Sequence, residues 1–154
     1  MEVDRKVAQR SLWAAEDQSK GAGILPVSDD TGRALLNLRS DRVSEPHTFS
    51  VWGGYSDEED RSPQQTALRE LEEESRYNGT IEIVESREAA FDGFVYVTFL
   101  GLVDGEFTPT LTTESADYRW VTYPELVSLK SDLHPKFRQF VEAERELLQQ
   151  YMDG

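Results

Sequence analysis

The chain has 154 residues, no cysteine and a formal net charge of −14. Its length suits one domain, and the absence of cysteine excludes a disulfide, a thiolate nucleophile and a Cys-based zinc site. The negative charge argues against a long nucleic acid as partner, because affinity for phosphate backbones comes mainly from Lys and Arg. No apolar run reaches the ~18 residues that span a bilayer, and the N-terminus does not resemble a secretory signal, so we expect a cytoplasmic protein without a membrane partner.

The first part of the chain predicts an N-terminal arm followed by a β-hairpin. Residues 1–18 are polar and weakly patterned, so we interpret them as an arm in front of a single domain at residues 19–154. Residues 22–27 and 33–39 are largely apolar, and the polar residues 29–32 between them contain a glycine. Two apolar runs around a polar turn are typical of a hairpin.

A helix is predicted after a short strand at residues 49–52. Ser62 is a suitable N-cap, Pro63 occupies the first helical position, and Gln65 completes a capping box. An apolar stripe follows at helical spacing. We expect the helix to end near residues 77–79, because Asn and Gly tolerate the left-handed conformation of a C-terminus.

The rest of the chain predicts three strands followed by two helices. Residues 80–85, 93–103 and 118–123 are rich in β-branched and aromatic residues and predict strands. A short helix is expected at residues 124–129, and a longer one over residues 135–151. The order of elements predicts an α/β (α+β) fold in which a mixed β-sheet is sandwiched between helices.

Three glutamates on the predicted central helix are the most informative feature of the sequence. At 100° per residue, Glu70, Glu73 and Glu74 lie within about 100° of arc on one helix face. Their carboxylates repel one another, and a hard divalent cation such as Mg²⁺ relieves that repulsion. Arg69 can form a charge-assisted bond to Glu73 one turn later. A glutamate run is more often a solvated face, and this alternative stays open from the run alone.

The surroundings of these glutamates resemble the Nudix box, a motif of the Nudix hydrolase family. Residues 69–74, Arg-Glu-Leu-Glu-Glu-Glu, match the core of that motif without a gap, and the full resemblance covers residues 54–77. The paired glycines at 53–54 and the helix start at 62–68 are similar to the family pattern. Beyond the box, the likeness extends to the first strands and to Glu114, an acidic residue before a Trp-containing strand.

The chain departs from the family pattern in three places. The loop before Arg69 is one residue longer, and Arg61 stands where the pattern has its first glutamate. Asp60 and Glu59 are the neighbouring acids that can substitute for it. Arg76 replaces the closing glycine of the box.

The resemblance implies a role for each matched residue. Glu70, Glu73 and Glu74 would be ligands of Mg²⁺ or Mn²⁺, and Glu70 is a candidate general base. Glu114 would be a further ligand or the alternative base. Arg69 would orient Glu73.

We expect substrate contacts from residues that flank the box. These are Arg39, Trp52, Gly53, Gly54 and Tyr96. Arg39 can pair with phosphate, and Trp52 can stack on a base, although a place in the core is an equal alternative for Trp52. His134 and Lys136 are interpreted as ordinary surface residues.

By resemblance, the protein is expected to be a pyrophosphohydrolase that cleaves a nucleoside diphosphate linked to another moiety. Nucleoside triphosphates, ADP-ribose, dinucleotides and dinucleoside polyphosphates remain open as substrates, and a homodimer remains open as the oligomeric state. The alternative is a catalytically weak nucleotide-binding or sensor module, which the substitution at Arg61 motivates. A prenyl diphosphate isomerase of similar fold is disfavoured, because its chemistry relies on a cysteine that this chain lacks.

Overall fold

The structure, a computed structural model, describes residues 19–152, so the predicted arm at residues 1–18 lies outside the described residues. Within this range the chain forms seven strands. They are β1 (Ser19–Ser28), β2 (Ala34–Arg39), β3 (Phe49–Ser50), β4 (Trp52–Tyr55), β5 (Glu82–Phe91), β6 (Phe94–Val103) and β7 (Ser115–Val121). The same range contains α1 (Pro63–Ser75), α2 (Tyr123–Ser128), α3 (Pro135–Ala143) and α4 (Arg145–Tyr151), with a 3₁₀ turn at Lys130–Asp132.

Strand β1 is the centre of a mixed sheet, as predicted. It pairs in parallel with β6 along its whole length, and β5 continues the sheet as the antiparallel neighbour of β6. On its other side β1 pairs with β4 and, at the pair Val27–Ala34, with β2. Strands β3 and β7 both pair with β2, so the chain crosses from β2 to β1 at Val51, between β3 and β4.

Helices cover both faces of the sheet and bury separate apolar clusters. Successive residues of a strand point to opposite faces, so Ile24 and Leu25 of β1 mark the two sides. Ile24 packs in one cluster with Ala67 and Leu71 of α1. Leu25 packs in the other with residues of α2, α3 and α4, among them Phe137. The predicted sandwich of a mixed sheet between helices is therefore confirmed.

The start of α1 agrees with the sequence, whereas its end comes earlier than predicted. The Ser62 hydroxyl accepts from the backbone N–H of Gln65 at 3.1 Å, as a capping residue does. In a capping box the side chain of the third helical residue accepts from the N–H of the capping residue, here Ser62. The Gln65 side chain accepts instead from the N–H of Arg61, one residue earlier, at 2.8 Å. The helix ends at Ser75 because Arg76 adopts the left-handed conformation, with φ 63° and ψ 15°.

Two other boundaries were wrong for tertiary reasons. The strand expected at residues 80–85 continues to Phe91 as β5, and an Asp92-Gly93 turn joins it to β6 with Gly93 at φ 70°. The single helix expected over residues 135–151 is broken at Glu144, whose carboxylate accepts from Arg87 of β5 at 3.0 Å. Both helical segments bury apolar residues in the same cluster, so the periodic pattern does not reveal the break. None of the helices in the described range has the length and apolar character needed to span a membrane.

Candidate functional site

A cavity of about 650 Å³ collects most of the predicted site residues. This volume is within the range of small-molecule sites in proteins. The predicted residues that line the cavity are Arg39, Gly53, Gly54, Glu70, Glu74, Tyr96 and Glu114. Arg69, Glu73 and Trp52 are not among its lining residues.

Glu74 is the most unusual charge of the cavity. The residue is only 7% exposed, and its Oε1 atom has no hydrogen-bond partner within the described residues. Burial, followed by the charges of Glu70 and Glu114, raises the pKa of Glu74 to about 9. A buried carboxylate without full pairing is costly, and such groups are commonly protonated or bound to a cation.

Glu70 lies one helical turn before Glu74 and approaches the glycine pair closely. Burial raises the pKa of Glu70 even though Arg69 lies 3.1 Å from its carboxylate. A Cβ atom at Gly54 would stand 2.5 Å from Oε1 of Glu70. Glycine at position 54 therefore allows the strand β4 backbone to run directly beside this carboxylate.

Glu114 reaches the cavity from the loop between β6 and β7. Its backbone carbonyl accepts from the Ser40 N–H at 3.0 Å, and the Ser40 hydroxyl donates to the Thr113 carbonyl at 2.6 Å. These bonds attach the Glu114 loop to the end of β2. The negative charge of Glu114 contributes to the raised pKa values of Glu70 and Glu74, so the three carboxylates share one electrostatic environment.

Arg69 is the hub of an ion-pair network beside the cavity. It donates to Asp60 through Nε at 3.1 Å and through Nη2 at 2.7 Å. It also donates to Glu73 at 3.1 Å, to Glu70 at 3.1 Å and to the Tyr55 carbonyl at 3.2 Å. The predicted bond from Arg69 to Glu73 is confirmed, and Arg69 in addition connects α1 to the end of β4.

Asp60, one of the two acids beside Arg61, pairs with Arg69. The Asp60 side chain is 3% exposed and also accepts from the Thr66 hydroxyl at 2.9 Å and the Asp57 N–H at 3.0 Å. The hydrogen bonds from Arg69 lower the pKa of Asp60 to about 2. The loop makes a turn before Asp60, whose N–H donates to the Asp57 carbonyl at 3.1 Å.

Two predicted site residues lie elsewhere. Glu73 has a side chain that is 57% exposed, does not line the cavity and is bonded to Arg69. Trp52 is completely buried in the cluster under α1, and its Nε1 donates to the Leu35 carbonyl at 3.1 Å. Of the two alternatives for Trp52, the place in the core is the one observed, and no face of the indole is open to a ligand.

The cavity is also lined by residues beyond the predicted site residues. His134 and Lys136, expected at the surface, line it together with Tyr55, Phe91 and Phe94. Burial, followed by the charges of Arg39 and Lys136, lowers the pKa of His134 to about 4. These residues come from the start of α3 and from β4 to β6, so no local spacing in the sequence connects them to the glutamates.

The donor set of the inner cavity suits a hard divalent cation. Within residues 19–152, no group of three or more His, Asp or Glu side chains already has the arrangement of a metal site. Glu70, Glu74 and Glu114 nevertheless line one cavity, and the unpartnered oxygen of Glu74 is a free ligand atom. Oxygen donors of this kind are those that Mg²⁺ and Mn²⁺ prefer.

Comparison with known proteins identifies the family. A sequence model of the NUDIX domain matches residues 17–143. The chain therefore belongs to the Nudix domain family and is a Nudix-type hydrolase that acts on phosphoanhydride bonds. No match was found among curated proteins.

Solved structures show the same fold at low sequence identity. A Nudix hydrolase from M. smegmatis, RenU, has a TM-score of 0.69 at 22% identity, covering 84% of this chain and 84% of that chain. The NUDIX domain of Shewanella oneidensis NrtR, complexed with ADP ribose, has a TM-score of 0.67 at 22% identity, covering 96% and 99%. A C. elegans Ap4A hydrolase has a TM-score of 0.63 at 19% identity, covering 85% and 93%.

Proposed function

We propose that this Nudix domain hydrolyses, with Mg²⁺ or Mn²⁺, the diphosphate bond of a nucleoside diphosphate linked to another moiety. The observation that carries the proposal is the buried, incompletely paired carboxylate of Glu74 beside Glu70 and Glu114 in one cavity. An acidic cluster like this repels a phosphorylated ligand unless cations neutralise both. A metal-dependent reaction on a diphosphate resolves that conflict.

The proposed metal ligands are Glu70, Glu74 and Glu114, with Glu73 contributing from the edge. A divalent cation held there would neutralise charge on the diphosphate and lower the pKa of a bound water. Arg69 is a positioning residue, because its bonds hold Glu70 and Glu73 in place on α1. Arg39 lines the same cavity and offers a guanidinium to a phosphate oxygen.

We assign the general base to Glu70, with Glu114 as the alternative. A base works best when its pKa approaches the working pH, and burial raises the pKa of Glu70. Glu70 would accept the proton of the attacking water, whose oxygen forms the new bond to phosphorus. The phosphoanhydride bond then breaks, and its bridging oxygen leaves with the second product.

The size of the cavity and two similar proteins suggest the substrate class. A volume of about 650 Å³ accommodates a ligand of nucleotide size. One structural neighbour was solved with ADP ribose and another is an Ap4A hydrolase. The alternative of a catalytically weak sensor rested on Arg61, and the pairing of Asp60 with Arg69 weakens that motive.

The test is release of phosphate or nucleoside monophosphate from a panel of ADP-ribose, dinucleoside polyphosphates and nucleoside triphosphates. Each is measured with Mg²⁺, with Mn²⁺ and with chelator, for the wild type and for Glu74→Gln. Glu72→Gln is the matched control, since Glu72 is an exposed glutamate of the same helix. We expect metal-dependent release that Glu74→Gln abolishes and Glu72→Gln preserves.

A second measurement does not depend on finding the substrate. Mg²⁺ should raise the melting temperature of the wild type, because a ligand that binds the folded state stabilises it. The same addition should leave Glu74→Gln unchanged. Full activity in chelator would refute the proposed function, and so would an equal effect of Mg²⁺ on both proteins.

A further inference from the structure

A second cavity lies among the C-terminal helices. Its volume is about 530 Å³, and all of its lining residues lie within residues 123–149, from α2 to α4. It shares no lining residue with the first cavity, that of the glutamates. Helix α3 contributes to both, through Phe137 and Phe140 to the first and through Arg138 and Val141 to the second. The proposed hydrolysis makes no use of the second cavity, although its volume is also that of a small-molecule site.

The inner surface of the second cavity is apolar. Its lining includes Leu126, Leu133 and Val141, which are at most 5% exposed and belong to the apolar cluster of α2, α3 and α4. Val127 lines the cavity too and is 44% exposed, so part of the apolar wall is open to solvent. Removal of apolar surface from water is favourable by about 25 cal/mol per Å². A ligand with an apolar body that covers Val127 therefore gains free energy by binding here.

The charged part of the lining is mainly cationic. Lys130 of the 3₁₀ turn, Arg138 of α3 and Arg145 of α4 come from three elements and line the same cavity. Of the described residues that line it, the one acid is Glu142, whose pair with Arg138 is long at 3.4 Å and roughly half exposed at both partners. Exposed pairs of this kind contribute little. Within residues 19–152, Lys130 and Arg145 form no ion pair.

The charge of the second cavity is opposite to that of the whole chain. Asp and Glu number 30 against 16 Lys and Arg, for a formal net charge of −14. In the second cavity three cations face one acid, so the local excess is positive. A cleft lined by one sign of charge attracts small ions of the opposite sign. Since Lys and Arg side chains can only donate hydrogen bonds, the complementary group is an anion with acceptor oxygens.

We propose that the second cavity binds a small amphipathic anion. The apolar body of this ligand packs against Val127 and Val141, and its carboxylate, phosphate or sulfonate head accepts from Lys130 and Arg145. An apolar lining combined with a few polar groups is the usual character of a small-molecule site. This site is additional to the proposed function, because no residue assigned to the hydrolysis lines it.

Two fluorescent probes with the same rings test the proposal. Anilinonaphthalene sulfonate carries an anionic group on apolar rings, and N-phenylnaphthylamine has those rings without the charge. Both become brighter when they leave water, so each is titrated into the full chain and its fluorescence is recorded. The sulfonate should bind about tenfold more tightly than the uncharged probe, because it adds charge-assisted bonds to Lys130 and Arg145.

Variants of the lining assign that difference to the named cations. Lys130→Met and Arg145→Met should each weaken binding of the sulfonate by about threefold to tenfold and leave the uncharged probe unaffected. Lys136→Met is the matched control, since Lys136 is an exposed lysine that lines the first cavity, and it should change neither affinity. Val127→Asp should weaken binding of both probes, because it places a charge on the apolar wall.

The four substituted positions are exposed, so each variant should fold, which its melting curve checks. Equal affinity of the two probes would overturn the proposal, and so would the failure of both to bind at submillimolar concentration. Sulfonate binding that survives both Lys130→Met and Arg145→Met would overturn it as well. Loss of binding in Lys136→Met alone would place the probe in the first cavity, with the same consequence. The titrations contain neither metal nor phosphoanhydride, so failure of the proposed function would leave their results unchanged.

Discussion

Two neighbouring glutamates on helix α1 differ in both exposure and pairing. Glu73 is 57% exposed and bonded to Arg69, while the adjacent Glu74 is 7% exposed with a carboxylate oxygen that lacks a partner within the described residues. On the Arg69 side, Asp60 completes a network of satisfied charges. Paired charges hold the helix in place, whereas the buried carboxyl group of Glu74 keeps one oxygen unpaired and is the proposed cation ligand.

The difference between the two sides also appears in their pKa values. Bonds from Arg69 hold the pKa of Asp60 at about 2, so that acid is ionised at neutral pH. Burial raises the pKa of Glu74 to about 9, so without a cation Glu74 carries a proton there. Binding of a divalent cation to Glu74 would have to release that proton. Metal affinity should therefore increase with pH.

The largest expected effect is on the rate of hydrolysis, and it should distinguish Glu74 from Glu73. Glu74→Gln should lower the metal-dependent rate by roughly 100-fold or more, because a lost metal ligand removes several kcal/mol of stabilisation from the transition state. Glu73→Gln should lower it by less, since Glu73 is 57% exposed and does not line the cavity. Steady-state kinetics on the substrate found in the panel measure both. Equal losses would show that exposure in the structure does not distinguish their roles.

The paired charges of Arg69 and Asp60 should contribute more to stability than the unpaired carboxyl group of Glu74. Asp60→Asn should lower the free energy of unfolding by about 2 kcal/mol at pH 7, because the folded-state pKa of Asp60 is depressed from 3.8 to about 2. This contribution is present above pH 3.8 and disappears as the pH falls toward 2. Urea denaturation of the variant and of Glu59→Gln, an exposed neighbour, measures it. A loss as large in Glu59→Gln would contradict the assignment of the pair to Asp60.

The stability of the protein should also depend on pH through His134, on the cationic side of the cavity. The pKa of His134 falls from 6.5 to about 4 through burial and the charges of Arg39 and Lys136. The unfolded chain therefore binds more protons between these values, and stability should decrease as the pH falls from 6.5 toward 4. The shift corresponds to about 3.4 kcal/mol, which solvent screening of the partly exposed ring reduces to about 1–2 kcal/mol. His134→Gln should remove that part of the pH profile in urea denaturation. A profile unchanged by the substitution would mean that His134 is not held neutral.

The smallest expected effect lies at the end of α1, away from both groups of charges. Arg76 is exposed and holds φ at 63°, a conformation that favours glycine. Arg76→Gly should therefore raise the free energy of unfolding by about 1 kcal/mol and leave the metal-dependent rate unchanged. Thermal denaturation and the rate assay check the two expectations. A change in rate would mean that the helix end influences the carboxylates.

Features encoded in neighbouring residues were predicted correctly. The Ser62 cap, the hairpin of β1 and β2 and the spacing of Glu70 and Glu74 all depend on contacts within a few residues. Local hydrogen bonds and the helical repeat are sufficient to define such features. The match to residues 69–74 was informative for the same reason, since it lies within two turns of one helix.

Which of these groups face the cavity depends on the tertiary structure. Asp60 pairs with Arg69 across nine residues of the chain, which no local pattern shows. Trp52 is in the core because β4 pairs with β1 beneath α1, and His134 lines the cavity because α3 packs across it. Residues close together in the chain define the N-cap of α1 and the spacing of its carboxylates, whereas burial and pairing depend on residues far apart in the chain, whose distances follow only from the packed sheet and helices.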